Sequence, residues 1–312
     1  MTGQAEGTTL ATTIEAALVI DATLYTDAGC PWAYSANPAL RVLEWRFREQ
    51  LRWRLVMIGL REEPSESAIR TFDGERALAR WRVYEERYGM PFGTTAKSRA
   101  AGTGRGCRAV VAAGKLEPAS EWTVFRALQI ANFTSTLYLD DAESIRNALG
   151  SVPGVDADAV AARLDDEDVF EEYERQRAEA RGAAGTPAEA QDKTATSDGL
   201  VRFTAPSIVF RRGEDTAVAG GWQPLLAYDT LLANFAPGLE RMPPPESPAP
   251  LLEFFPYGLA SAEVALLLAE GSDPAPDLDD AASQLVGLAE GGIAERIPLG
   301  RDALWRPVST PT

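Results

Sequence analysis

The chain of 312 residues has no histidine and only two cysteines, Cys30 and Cys107. Without imidazole, Ser-His-Asp and Cys-His nucleophilic chemistry is excluded, and so is most zinc chemistry. Two thiols cannot make a cysteine-rich metal centre, so no metal is expected. Any thiolate here must be stabilised by backbone dipoles, burial and fixed charge. Positive charge is scarce as well: 30 basic residues face 46 acidic ones, for a net charge of −16. Such a chain repels phosphate backbones and anionic lipid, so neither nucleic acid nor membrane is an expected partner. No apolar run approaches the ~20 residues that a membrane span needs. Residues 1–17, MTGQAEGTTLATTIEAA, carry no Lys or Arg ahead of their weakly apolar stretch. They read as a tail, disordered over 1–16, and not as a signal peptide. The expectation is a cytoplasmic protein whose thiols stay reduced.

What is present suits a globular protein. Hydrophobic residues make up 45% and charged residues 24%, enough for a real core. Ala17–Tyr25 (ALVIDATLY) is an apolar, β-branched run of strand length. Asp27-Ala28-Gly29-Cys30 interrupts it, and Pro31 stands at a first helical position, where its missing N–H costs nothing. A helix is predicted from Pro31 to about Arg48, then a strand over Leu51–Leu60, giving a β-α-β unit with parallel strands. From Asp73 to Arg181 the pattern is helical, with helices predicted at 75–88, 105–113, 120–130, 141–149 and 156–181. A polar stretch follows at 182–199. Strands are then predicted at Val201–Phe210 and Asp215–Ala219, and a helix at Pro224–Asn234. Residues 236–250 (APGLERMPPPESPAP) read as a stiff proline-rich linker. Beyond it a module over 251–312 contains a short strand at Leu251–Phe255, helices at 261–269 and 278–290, and a hairpin around Gly300-Arg301-Asp302. That order suggests a small α+β winged-helix-like fold. From Pro245 onward there are eleven acids against three bases, so it reads as a site for a protein partner rather than for DNA.

The chemistry centres on DAGCPWAYS, residues 27–35. A cysteine at a strand-to-helix junction places its sulfur beside unpaired amides and the positive end of the helix dipole. Such placement can lower a thiol pKa from about 8.5 into the range of roughly 3.5–7.5. Flanked by Gly29 and Pro31, Cys30 is expected at an exposed junction, as a nucleophile. Trp32 is either a wall of the thiol pocket or packing under the helices that follow. Cys107 lies in AKSRAAGTGRGCR among Lys97, Arg99, Arg105 and Arg108. It reads either as a core cysteine with the arginines turned outward or as a distant resolving thiol. The local positive charge, Arg105 and Arg108 above all, is a candidate seat for the carboxylates of a small thiol.

Strand-CPWxY-helix, a long helical segment, TAPSIVF and then GGWQPLLAY occur in an order that resembles the DsbA-like branch of the thioredoxin superfamily, over roughly residues 18–236. The resemblance implies an α/β thioredoxin-like domain, residues 17–72 and 199–235, carrying a helical insertion over 73–198. It also implies an attacking nucleophile at Cys30 in the active-site loop Pro31, Trp32 and Ala33, and a cis-proline at Pro206. Ala205, just before it, would pair with substrate. The chain departs from the family pattern at Ala33, where a resolving cysteine would stand, and this blocks the dithiol route. Three readings follow. Cys30 acts as a monothiol thiol–disulfide oxidoreductase on a small-thiol or protein disulfide, with no bound cofactor but with glutathione or mycothiol as co-substrate. The 27 arginines against three lysines fit a GC-rich genome, for which mycothiol is plausible. Alternatively the chain resembles kappa-class glutathione transferases and hydroxychromene-carboxylate isomerases, which usually carry serine at the nucleophile position. In the third reading the fold is kept as a non-catalytic adaptor.

Overall fold

A computed structural model describes residues 19–271 and 273–308; the tail expected at 1–16 lies outside them. The central sheet has the order β2-β1-β5-β6, built from β1 (Ile20–Thr26), β2 (Leu51–Met57), β5 (Ser207–Arg212) and β6 (Asp215–Ala219). β1 runs parallel to β2, with Leu24 opposite Leu55, and antiparallel to β5, with Leu24 opposite Ile208. Both sheet faces are buried, which is why β1 is apolar along most of its length. Ile20, Ala22 and Leu24 join the main core with Leu51, Leu55, Ile208 and Phe210. Tyr25 faces the other way, into a second cluster with Val56, Val209, Cys30 and Ala205.

The single helix predicted over 31–48 is two, α1 (Pro31–Ser35) and α2 (Asn37–Phe47). Pro38 has no N–H to offer the Tyr34 carbonyl. The Asn37 side chain takes that carbonyl instead, at 3.0 Å. Between β2 and the strands that follow lie α3 (Glu66–Arg70), α4 (Gly74–Tyr88), α5 (Gly104–Leu116), α6 (Glu121–Thr134), α7 (Ala142–Leu149), α8 (Ala157–Ala162), α9 (Glu167–Ala180) and α10 (Pro187–Ala190). The predicted helix 156–181 is therefore broken between α8 and α9. Arg108 of α5 takes the Leu164 carbonyl at 2.8 Å and reaches the Asp165 carboxylate at 3.3 Å, so a tertiary contact claims the backbone at the break. At the sheet edge, the Gln176 side chain of α9 accepts from the Met57 amide at 2.9 Å.

The strand predicted at 201–210 is also two. β4 (Leu200–Phe203) pairs with β3 (Thr194–Ser197) in a separate hairpin, and β3 lies within the polar stretch 182–199. β5 begins only after the cis peptide Ala205–Pro206. Past α11 (Leu225–Phe235), the proline-rich residues lie against α2. The Trp45 indole donates to the Pro243 carbonyl at 2.8 Å, and the Met242 amide to the Arg46 carbonyl at 2.9 Å.

The C-terminal module is ordered α12 (Ala249–Phe254), β7 (Leu259–Ala260), α13 (Ser261–Leu268), α14 (Leu278–Glu290), β8 (Ala294–Leu299) and β9 (Asp302–Pro307), with sheet order β7-β9-β8. The strand expected at Leu251–Phe255 is a helix instead: α12 follows Pro248 and buries Leu251 and Leu252. The hairpin turns at Gly300, whose φ of 60° suits a residue without a Cβ. The module is fastened to the insertion by a fully buried ion pair. Arg126 of α6 donates to Glu263 of α13 at 2.6 Å through one nitrogen and to the other carboxylate oxygen through a second, while the Gly258 carbonyl accepts at 3.0 Å. The two side chains are 2% and 0% exposed, so no solvent screens the pair. Among the described residues, no helix is long and apolar enough to cross a membrane, and no group of three or more His, Cys, Asp or Glu could hold a metal ion.

Candidate active site

Cys30 closes the loop between β1 and α1 and caps α1, with Pro31 in the first turn. It is 5% exposed, which corrects the expectation of an exposed junction: the loop is covered by Ala205, which packs with Cys30 in the second cluster. The sulfur points at the segment that sequence reasoning paired with it, and its S–H donates to the Ala205 carbonyl at 3.2 Å. Ala33, 2% exposed, lies in the same apolar cluster.

Burial raises the Cys30 thiol to about 12, with a smaller contribution in the same direction from Asp27. The amides of Ala33 and Trp32 and the Arg202 guanidinium act the other way. The expected pull of the helix front is therefore present, but it is outweighed. α1 has only five residues, and no side-chain capping bond closes on the sulfur. The depressed pKa predicted from the junction is thus reversed, because desolvation of a thiolate in an apolar cluster exceeds what two amides return.

Asp27 organises the loop. Its fully buried carboxylate accepts from the Gly29 amide at 2.8 Å, the Leu60 amide at 2.7 Å and the Thr103 hydroxyl at 3.1 Å, and from the Cys107 thiol at 3.6 Å. Gly29 is needed there, since a Cβ would stand 2.1 Å from Thr103 Cγ2. Replacing Asp27 by Ala is expected to cost at least about 3 kcal/mol, because two buried amides and a hydroxyl lose their acceptor at roughly 1–3 kcal/mol each; urea unfolding measures it. Burial also raises the folded-state pKa of Asp27 above the ordinary 3.8. The native state then keeps the proton longer than the unfolded chain, so stability falls as pH climbs from about 4 until the native carboxyl ionises, and Asp27→Asn flattens that decline.

Cys107 is fully buried in the main core, and burial pushes its thiol well up. The cationic cluster around it is already paired. Arg105 bonds Asp165, Arg108 bonds Asp165 and the Leu164 carbonyl, Arg99 forks onto Asp140, and Lys97 donates to Asn132 and the Leu137 carbonyl. Apart from Asn132 on α6, those partners lie in the loops after α6 and α8, so the charge of Arg105 and Arg108 is met within the chain. Trp32 packs against the helices that follow. It is 41% exposed, and its ring meets Tyr84 and Tyr88 of α4 edge-on at 5.1 and 5.5 Å. Tyr88 continues to Trp222 at 4.8 Å, completing an aromatic wall, and Tyr84 lies within electrostatic reach of Cys30. Sequence reasoning missed Tyr84, Tyr88, Arg202 and the role of Asp27. Only Asp27 left a signal, as a charged residue at the end of an apolar strand.

The family model for a DSBA-like thioredoxin domain matches residues 22–204. The chain belongs to this family. Among solved structures, it is similar to a "putative protein disulfide isomerase" from Nitrosomonas europaea, at 15% identity and TM-score 0.53, covering 69% of this chain and 97% of that one. It is also similar to the "probable DsbA oxidoreductase SCO1869" from Streptomyces coelicolor, at 16% identity and TM-score 0.52, covering 70% and 91%. No curated protein matches the chain. The match of a DSBA-like domain ends two residues before Pro206, so the C-terminal module lies beyond it.

Proposed function

We propose that this DSBA-like chain exchanges thiols and disulfides through Cys30 alone, with a low-molecular-weight thiol, glutathione or mycothiol, as co-substrate in the cytoplasm. The observation that carries this reading is the Cys30 sulfur set 3.2 Å from the Ala205 carbonyl, beside Pro206, with Ala33 in place of a second thiol. In the first step the Cys30 sulfur attacks one sulfur of a substrate R–S–S–R′. A Cys30–S–S–R bond forms, the S–S bond of the substrate breaks, and the Cys30 proton leaves with R′S–H. A small thiol R″S–H then attacks the R sulfur, giving R″–S–S–R and returning Cys30 to its protonated form. Two S–S bonds form and two break, so no further oxidant is needed. Ala205 would align the substrate chain, and the aromatic wall from Trp32 to Trp222 would face its apolar part.

The test is turnover of a peptide–glutathione mixed disulfide with excess small thiol. Exchange above the buffer rate should vanish in Cys30→Ser and depend on small-thiol concentration in the wild type. Ala33→Cys places a second thiol at i+3, within disulfide reach. Its oxidised form should be about 2 Da lighter and should resolve without the small thiol. Exchange that survives in Cys30→Ser sinks the reading. The burial of Cys30 favours the second reading, a thioredoxin-fold adaptor without catalysis. That reading stands if wild-type turnover equals buffer with both small thiols. The C-terminal module we read as winged-helix-like, with an acidic surface suited to a protein partner.

A further inference from the structure

A cavity of about 420 Å³ opens where β2, the end of α2, the start of α6 and α12 meet, and it shares no lining residue with the thiol site. Its size is that of a small-molecule site, and its place at a junction of three parts of the chain is typical of one. Trp53 and Trp122 form an open corner there, ring centroids 5.7 Å apart and planes at 47°, and Phe254 contributes a third ring.

The charges around this corner are unbalanced. Arg48 lines the cavity and lies over the Trp45 and Phe254 rings at 4.4 and 4.7 Å, while Arg41 behind the wall pairs with Glu44 at 2.7 Å and lies over the Trp122 ring at 5.2 Å. Glu121 and Glu49 also line the cavity, and neither carboxylate forms an ion pair or hydrogen bond among the described residues. Glu121 is half-buried, and desolvation pushes it up to about 7 with only Arg54 opposing. A half-buried carboxyl with no cation bonded to it, beside half-buried indoles, is the complement of a cation with an apolar body.

We propose that this cavity binds a small aryl-alkyl ammonium ion, its ring in the corner of Trp53 and Trp122 and its charge toward Glu121 and Glu49. Aromatic faces attract a cation through their quadrupole, and the carboxylates add direct charge pairing. Glu44, also raised to about 7, keeps its bonds to Arg41 and Tyr257 and contributes only background potential.

The probes are benzylammonium and its neutral counterpart benzyl alcohol, titrated calorimetrically into the full chain at pH 8, where Glu121 is ionised. Benzylammonium should bind saturably and at least about tenfold more tightly than benzyl alcohol, a gap of roughly 1.4 kcal/mol. Glu121→Gln should erase most of that gap, and Trp53→Leu should weaken both probes. Glu121→Gln should leave the rate of Cys30 alkylation unchanged, which separates this site from the thiol site. The two variants are checked for a native near-ultraviolet circular dichroism spectrum first. Equal affinity for the two probes, an unchanged gap in Glu121→Gln, or no saturable benzylammonium binding to the wild type would each overturn the proposal.

Discussion

Arg126→Met should lower the unfolding free energy by about 3–5 kcal/mol, the cost of stranding one member of a buried ion pair. The magnitude follows from the setting. Glu263 is 0% exposed, and its carboxylate would keep only the Ala260 amide, at 2.7 Å, once the guanidinium is gone. The Gly258 carbonyl would lose its 3.0 Å donor as well. The double variant Arg126→Met, Glu263→Leu should recover part of the loss, since no desolvated charge remains although the Gly258 carbonyl and the Ala260 amide lose these partners. Urea unfolding of the single and double variants, with m-values compared, decides it. A loss below about 1 kcal/mol in the single variant would place the pair among solvent-screened bridges and contradict its burial.

The second large effect concerns the thiol itself. Moving a pKa from 9.0 to about 12 leaves roughly a thousandfold less thiolate at neutral pH. A more basic thiolate is also more nucleophilic, with a Brønsted slope of about 0.4–0.5, which returns part of that loss. The net expectation is alkylation of Cys30 by iodoacetamide roughly 30–60-fold slower than for an ordinary exposed cysteine. The rate should climb about tenfold per pH unit from 7 to 9 without a plateau, since the thiol remains mostly protonated throughout. Mass spectrometry of the Cys30 peptide across a pH series reads this directly. A plateau below pH 8 would mean that the helix amides win over burial after all.

Much of the architecture was legible because it follows from short-range rules. The apolar run into β1, the proline opening α1 and the turn at Gly300 each rest on neighbouring residues, and so does the order of motifs that resembles the DsbA-like branch. The misread places were decided from a distance. The break between α8 and α9 depends on Arg108, more than fifty positions away. LLEFF is a run of five that suits strand or helix equally; packing against the core makes it α12. The candidate site divides in the same way. Cys30, Pro206 and Ala205 come together as the motifs implied, yet the protonation of the sulfur does not follow from those motifs. It depends on how closely a loop 175 residues away covers the sulfur, and a linear reading cannot see that. Arg105 and Arg108 show the converse: a run of cations shows its charge in the sequence but not the carboxylate of Asp165 that meets it.

The proline-rich segment has a practical consequence. Because it is stitched to α2 at Trp45 and Arg46, it gives the C-terminal module no hinge on which to swing. Heating or denaturant should therefore melt the described chain as one body. The module's bearing to the thiol is thereby fixed.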